Sequence, residues 1–522
     1  MSRILLLVLF LVWLAWPGDQ QWSIAQQWPW LLLFIGFYVL LVILLGLWSR
    51  VLARRSDSAN FHQNVRRFNH TMFAARIIVP AWFAVGVWKL GWGPLIAGGI
   101  GNNLAGKLPG VLLGTFPAFA AWMGLWWSQY PADRAVREQS FWSDWENQLP
   151  LHQPPPFRSY FAMNLRLQVL FTIVPVLLWV AMRDIISVSS THYFHWTEDR
   201  LQQRVDLAAS AIAAAVVFLL VPKILRRVLN TVPLPSSPLR SRLEQLCRRA
   251  KVRYCDILLW QTQNNIGNDA VMGILPRMRY FLISDVLMER MTDDQIEAVF
   301  AHELGHIVHR HMGWYAIFLI VLIVLMMATA TALAEAFPMI NQSHAGIALM
   351  MMLGTAMFLL LFGALSRSCE RQADVYAARI MEATKGPAAS SEALLNPRQL
   401  SAVAAGSVEK VGPDVQWVGP YGAALFSSAL EHVAVINNIP IGNHATPATR
   451  GRFRPAHLFD SLVDMANHWF HGSIASRMSY LQRLGVEPRL TARFDRAMFV
   501  LYGTLVFGFV LACILCWAMG LF

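Results

Sequence analysis

Long apolar runs alternate with short polar or basic stretches along most of this chain. A bilayer is crossed by about 20 apolar residues. Residues 28–48, 77–100, 108–127, 167–185, 314–337, 345–365 and 497–521 are read as spans on that measure, and the shorter runs 4–16 and 208–220 are read as spans beside them. The pattern predicts an α-helical polytopic membrane protein of about nine spans. The first run follows Arg3, and Ser23-Ile-Ala25 has the small residues of a signal-peptide cleavage site. Its tryptophans and the span that follows at once favour an anchored helix over a cleaved signal. The third run carries Lys89, which either lines a cavity or, the reading preferred, snorkels to the membrane interface. Residues 51–76 and 128–166 are read as loops, the second turned by Pro154-Pro155-Pro156.

Between the sixth and seventh spans the pattern changes to that of a water-soluble fold. Ser237 and Pro238 predict the start of a helix over 238–251, because a serine caps the first N–H groups and proline lacks one. Residues 256–263 and 280–284 predict strands of a small sheet, and 268–273 a turn-rich segment. Thr292 and Gln295 have the spacing of a capping box. Asp293 and Asp294 then lie where the helix dipole favours negative charge. Ile296, Phe300, Leu304 and Ile307 form one apolar stripe. Residues 381–440 are read as short helices and loops that include a flexible lid. The expected divisions are a membrane domain of about six spans over 1–222, then a first soluble part over 223–312. A transmembrane hairpin over 313–366, a second soluble part over 367–495 and a last span over 496–522 follow.

Composition narrows the class. Of 522 residues, 56% are hydrophobic and 14% charged, which departs from soluble usage towards a membrane protein. The net charge of +12 reflects a basic bias of membrane loops, concentrated in nine Lys and Arg residues over 223–253. That bias places this connection, and the capped helix after it, on the cytoplasmic side, with the C-terminus outside. No nucleic-acid recognition motif accompanies the charge. Five cysteines form no framework of even pairs, so a disulfide scaffold is not expected.

The capped helix carries His302-Glu303-Leu304-Gly305-His306. Two histidines four apart project from one helix face and can share one zinc ion. Glu303 is rotated by about 100° from His302 and flanks the metal rather than binding it. Zinc lowers the pKa of a bound water towards about 7, and Glu303 can take its proton. A third ligand is needed. His309 stands about 10 Å from His302 along the axis of a continuous helix and is rejected, and His311 points to the far side. Both are read as polar residues near the membrane surface. Glu370 and Asp374 share one face of a later helix. Glu370 is the candidate third ligand. Asp374 is the candidate acceptor for the second ring N–H of a zinc-bound histidine. The helical hairpin over 314–365 returns Glu370 to the membrane face that holds the histidines.

His302-Glu-Leu-Gly-His306, a hydrophobic hairpin and Glu370-x-x-x-Asp374 resemble the membrane zinc endopeptidases of the HtpX and type I CAAX prenyl protease family, of the gluzincin type. The similarity covers about residues 239–485. It implies a mostly helical, zincin-like α+β catalytic domain at the cytoplasmic face, with one zinc per chain. It implies peptide-bond hydrolysis of membrane-associated or misfolded polypeptides as the activity, with the processing of prenylated C-termini as the alternative. It also implies substrate-facing backbone near Asn268, an oxyanion contact from His471, and a substrate-orienting or helix-anchoring role for Arg477. The family's late His-Pro-Pro motif lacks both prolines at His471, and His444-Ala-Thr-Pro447 is a rival for it. Two non-hydrolytic readings stand beside this one. A structural zinc scaffold requires a closed set of four protein ligands. A sensor requires an outer ligand-binding domain, for which the loop over 186–206 is too short.

Overall fold

The computed structural model describes residues 2–14, 24–58, 60–99, 108–146, 153–194, 199–263, 267–337, 344–394, 417–437, 439 and 471–518. The chain divides into two compact units. One comprises Met1–Val232 with Trp260–Asn264, the other Pro233–Leu259 with Asn265–Phe522.

The first unit is helical: α1 (Ser2–Leu14), α2 (Ile24–Ala53), α3 (Phe61–Trp88), α4 (Trp92–Gly99), α5 (Leu108–Glu146), α6 (Phe157–Asn164), α7 (Phe171–Phe194) and α8 (Asp199–Val228). A π-helical turn, Leu165–Leu170, joins α6 to α7. Aromatic residues fill its core, with Trp13, Phe34, Phe68, Phe83, Trp122 and Trp126 almost wholly buried. Within a bilayer these side chains are held by close van der Waals packing and not by transfer out of water. The opposite face of α2 exposes Leu32, Leu33, Leu40, Leu44 and Leu47. An apolar helix face of that length is stable against lipid and not against water.

Among the described residues, seven helices are long and apolar enough to cross a membrane, and α1 contributes a shorter apolar stretch, Leu5–Leu14. The protein is a multi-pass membrane protein. The expected second arm of the hairpin, 345–365, lies within a long helix described below. The third span is displaced from its expected place. It occupies Gln63–Trp88, not 77–100. Phe61, Phe68, Met72, Ala75, Val79, Phe83 and Val87 make one buried stripe at helical spacing, so the basic segment before residue 77 is already helix. The helix stops at Lys89, and Gly91 follows in the left-handed region at φ 81°. Lys89 is exposed at that helix end. The expected loop over 128–166 is also corrected: α5 runs on through Pro131 to Glu146.

The second unit contains α9 (Pro238–Arg249), α10 (Asp285–Arg290), α11 (Asp293–Val308), α12 (His311–Ala336), α13 (His344–Leu394), α14 (Pro420–Ile436), α15 (Ile474–Val486) and α16 (Pro488–Ala518). Strands β1 (Thr231–Pro233), β2 (Asp256–Trp260), β3 (Asp269–Met272) and β4 (Tyr280–Ser284) form a sheet of order β1-β2-β4-β3. β3 runs antiparallel to β4, with Asp269 opposite Ile283 and Met272 opposite Tyr280. It was expected as a turn, because its short run lacks a clear apolar alternation. As an edge strand it buries neither face fully.

Three apolar surfaces meet behind α11. Phe281 from the sheet packs on Phe300, ring centroids 4.6 Å apart. Ala377, Ala378 and Met381 of α13 and Phe426 and Ala429 of α14 close the same core. α13 continues as helix to Leu394, through Lys385-Gly386-Pro387. The lid expected over 381–440 falls partly on this helix and on α14, and partly outside the described residues. Trp314 of α12 and Tyr502 of α16 stack with centroids 4.2 Å apart.

Candidate active site

The capping box is present. Gln295 N–H donates to Thr292 Oγ1 at 3.3 Å, and Thr292 N–H donates to Gln295 Oε1 at 3.1 Å. Arg242 pairs with Asp293 at 2.5 Å, and Lys385 pairs with Asp294 and Glu297. These contacts fix the start of α11 and so the angle of its polar face.

On that face the Nε2 atoms of His302 and His306 stand 3.2 Å apart. Glu370 of α13 approaches both: Oε2 lies 3.6 Å from His302 Nε2 and Oε1 lies 3.7 Å from His306 Nε2. Donors about 2.0–2.1 Å from one tetrahedral zinc ion lie about 3.3 Å from one another. The three spacings fit that figure within a small side-chain adjustment, and the two-imidazole, one-carboxylate donor set suits zinc. Among the described residues, these three form the group of His, Cys, Asp and Glu side chains able to hold a metal ion.

Close helix packing makes the approach possible. A Cβ on Gly305 would stand 2.9 Å from the Ala373 Cα on α13. Gly305→Ala is therefore expected to push α11 from α13 and cost about 1–3 kcal/mol. Gly313→Ala, where a Cβ would meet nothing within 4 Å, is its neutral counterpart. Thermal unfolding of the two variants checks the difference.

The supporting charges are buried. His302 Nδ1 lies 3.0 Å from Asp374 Oδ1. Arg477 holds the same carboxylate at both oxygens, Nη2 to Oδ1 at 2.6 Å and Nε to Oδ2 at 2.8 Å. Its Nη1 also lies 3.8 Å from Glu370 Oε2. Burial opposes ionisation of Asp374, but Arg477 and His302 outweigh it and hold the carboxyl below its usual range. Burial likewise pushes the His302 imidazolium down, while Asp374 more than offsets it and the net direction is up. Asp374 thus makes His302 a more basic imidazole. Burial and the neighbouring His302 push His306 down to about 3, which keeps it neutral and able to donate a lone pair. For Glu370 burial is again outweighed, by the His471 hydrogen bond and the charges of His302, His471 and Arg477, and the carboxyl is held low.

Glu303 is outside the donor trio. It accepts the Val271 N–H from the edge strand, and burial pushes its carboxyl up. His471 is well exposed, with its side chain 67% accessible, and its Nδ1 lies 3.0 Å from Glu370 Oε1. Asn268 sits exposed just before β3, its N–H donating to Ser284 Oγ at 3.1 Å. His444 lies outside the described residues.

Other residues at the site carried no sequence signal. Asp269, on β3, is half-buried with its Oδ2 enclosed, and its carboxyl is pushed well up by burial and by Glu303. Phe426 stacks on the His302 ring at 5.7 Å. His311 corrects the expectation that it faces away. It is 1% exposed, and its Nδ1 lies 2.8 Å from His306 Nδ1. The axial argument assumed one continuous helix, but Arg310 adopts the left-handed conformation at φ 55° and turns the chain back. His309 stays off the metal face, its ring edge-on to Tyr376 at 5.7 Å.

Residues 233–434 match the model of peptidase family M48. The crystal structure of Ste24p from S. mikatae is similar over 89% of this chain and 100% of that one, with 14% identity and a TM-score of 0.43. No curated protein matches the sequence.

Proposed function

We propose that this chain, whose residues 233–434 match the model of peptidase family M48, is a membrane-embedded zinc-dependent endopeptidase whose site opens at the cytoplasmic face. The convergence of His302, His306 and Glu370, with Glu303 beside it and outside the trio, carries the reading. One zinc ion held by these three would polarise a scissile carbonyl and acidify a water. Glu303 would take a proton from the attacking water and deliver it to the leaving amine nitrogen. Burial pushes its carboxyl up, the direction that makes it the better proton carrier. His471, exposed at the rim, swings from Glu370 to donate to the carbonyl oxygen as negative charge develops there.

The edge of β3 receives the substrate. An extended peptide adds to an open strand through backbone hydrogen bonds, with little demand on its side chains. That suits membrane-associated or misfolded polypeptides as the substrate class. The bilayer is the second partner, through the apolar helices. A structural zinc site is disfavoured, because three protein donors converge among the described residues where a closed site has four. The cytoplasmic placement rests on the basic connection over 223–253.

The test uses the full chain in detergent, with an unfolded protein as substrate. Hydrolysis that falls to background on chelation and returns with one zinc per chain is the expected result. Undiminished hydrolysis by metal-free protein would refute the reading. Labelling of a cysteine placed at Arg253 from the cytoplasmic side alone checks the orientation.

A further inference from the structure

His302 and His306 are held in different ways. His302 leans on the Asp374 carboxylate. His306 leans on a chain of neutral groups drawn from three other helices. His306 Nδ1 lies 2.8 Å from His311 Nδ1, at the start of α12. His311 Nε2 lies 2.9 Å from Oε1 of Gln372 on α13. The Tyr502 hydroxyl, on α16, donates to that same oxygen.

The proton positions follow from the Gln372 end. An amide oxygen can only accept. With Gln372 placed so that Oε1 faces it, His311 carries its proton on Nε2, which leaves Nδ1 as an acceptor in the neutral ring. His306 must then carry its proton on Nδ1, and its Nε2 lone pair is left facing His302 Nε2 and Glu370. That tautomer is the one a metal ligand bound through Nε2 requires.

We propose that His311, Gln372 and Tyr502 form a positioning relay that fixes the tautomer and ring angle of His306 and ties metal retention to the packing of α12 and α16. The proposal rests on the zinc reading above for its consequence, but not for its geometry. His311 is almost fully buried, and the rings of His306 and His311 meet edge to face, centroids 4.8 Å apart at 85°. The stack of Trp314 on Tyr502 holds the far end of the relay against α12. Loosening α16 from α12 withdraws the Tyr502 donor, and the hold on His306 weakens with it. Asp374 gives His302 a basicity that does not depend on these spans.

The test compares wild type, His311→Phe, His311→Asn and Tyr502→Phe in lipid nanodiscs. Asparagine presents an oxygen close to the position of Nδ1, whereas phenylalanine fills the space without an acceptor. In metal-free protein with 15N-labelled histidine, NMR reads the His306 tautomer directly. Wild type and His311→Asn are expected to keep the Nδ1–H form, and His311→Phe to shift to Nε2–H. By competition with a chelator, His311→Phe is expected to bind zinc about 10–100-fold more weakly. His311→Asn is expected within a few-fold of wild type, and Tyr502→Phe between the two. A His311→Phe protein with the wild-type tautomer and zinc affinity overturns the relay. So does a His311→Asn protein as impaired as His311→Phe. If wild type binds no zinc but its His306 tautomer still answers to His311, the zinc reading fails and the relay stands.

Discussion

Glu303→Gln is expected to lower peptide hydrolysis by roughly 10²–10⁴-fold while one zinc per chain is retained. Glutamine keeps the volume of the side chain and an oxygen to accept the Val271 N–H, so β3 stays in place. It removes only the carboxylate that takes and returns a proton. The side chain is absent from the donor trio, so metal content has no reason to change. Glu370→Gln is the informative contrast. It weakens a ligand, leaves His471 without its carboxylate and Arg477 with Asp374 alone, and is expected to lose zinc first and activity as a consequence. Elemental analysis beside a proteolysis assay separates the two. A Glu303→Gln enzyme of undiminished rate removes the acid–base role. One that has lost its zinc would make Glu303 a ligand.

The parts of the arrangement legible in the sequence are those fixed by one continuous helix. Thr292 and Gln295 announce a capped start, and the spacing of His302 and His306 makes a shared ion possible without tertiary information. Glu370 required one further step, that a helical hairpin returns the chain to the side it left. The errors arise where a regular period is broken or extended by a single residue. Arg310 in the left-handed region turns His311 from a far-side residue into a neighbour of His306, and no residue preference announced it. Arg66, Arg67 and Arg76 looked like loop residues, yet they occupy the flanks of a helix whose buried stripe begins at Phe61. β3 escaped because an edge strand can be mixed in burial at every position. Gln372, Tyr502 and Phe426 belong to helices that converge only in the folded chain. Their types carry no chemistry that would single them out beforehand.

Arg477→Ala is expected to be the most destabilising single change, by about 3–5 kcal/mol, because it leaves Asp374 buried and without its cation. Asp374 is 1% exposed and bonded at both oxygens. Arg477→Lys is not expected to rescue, since an ammonium cannot match the two-pronged contact. The sign of the pH dependence follows from the depressed Asp374 carboxyl. In metal-free protein its contribution is complete above its unfolded-state pKa of about 3.9 and is lost as pH falls through the lower folded value. The double variant Asp374→Asn with Arg477→Met removes both charges and is expected to recover most of the stability. It is not expected to recover zinc affinity, because His302 then lacks the anion that raises its basicity. Thermal unfolding and chelator competition on the four proteins test this together. Recovery of both properties in the double variant would reduce Asp374 and Arg477 to a packing role. Recovery of stability alone assigns the pair to the metal site, where an ion pair of no net benefit to folding is kept for what it does to His302.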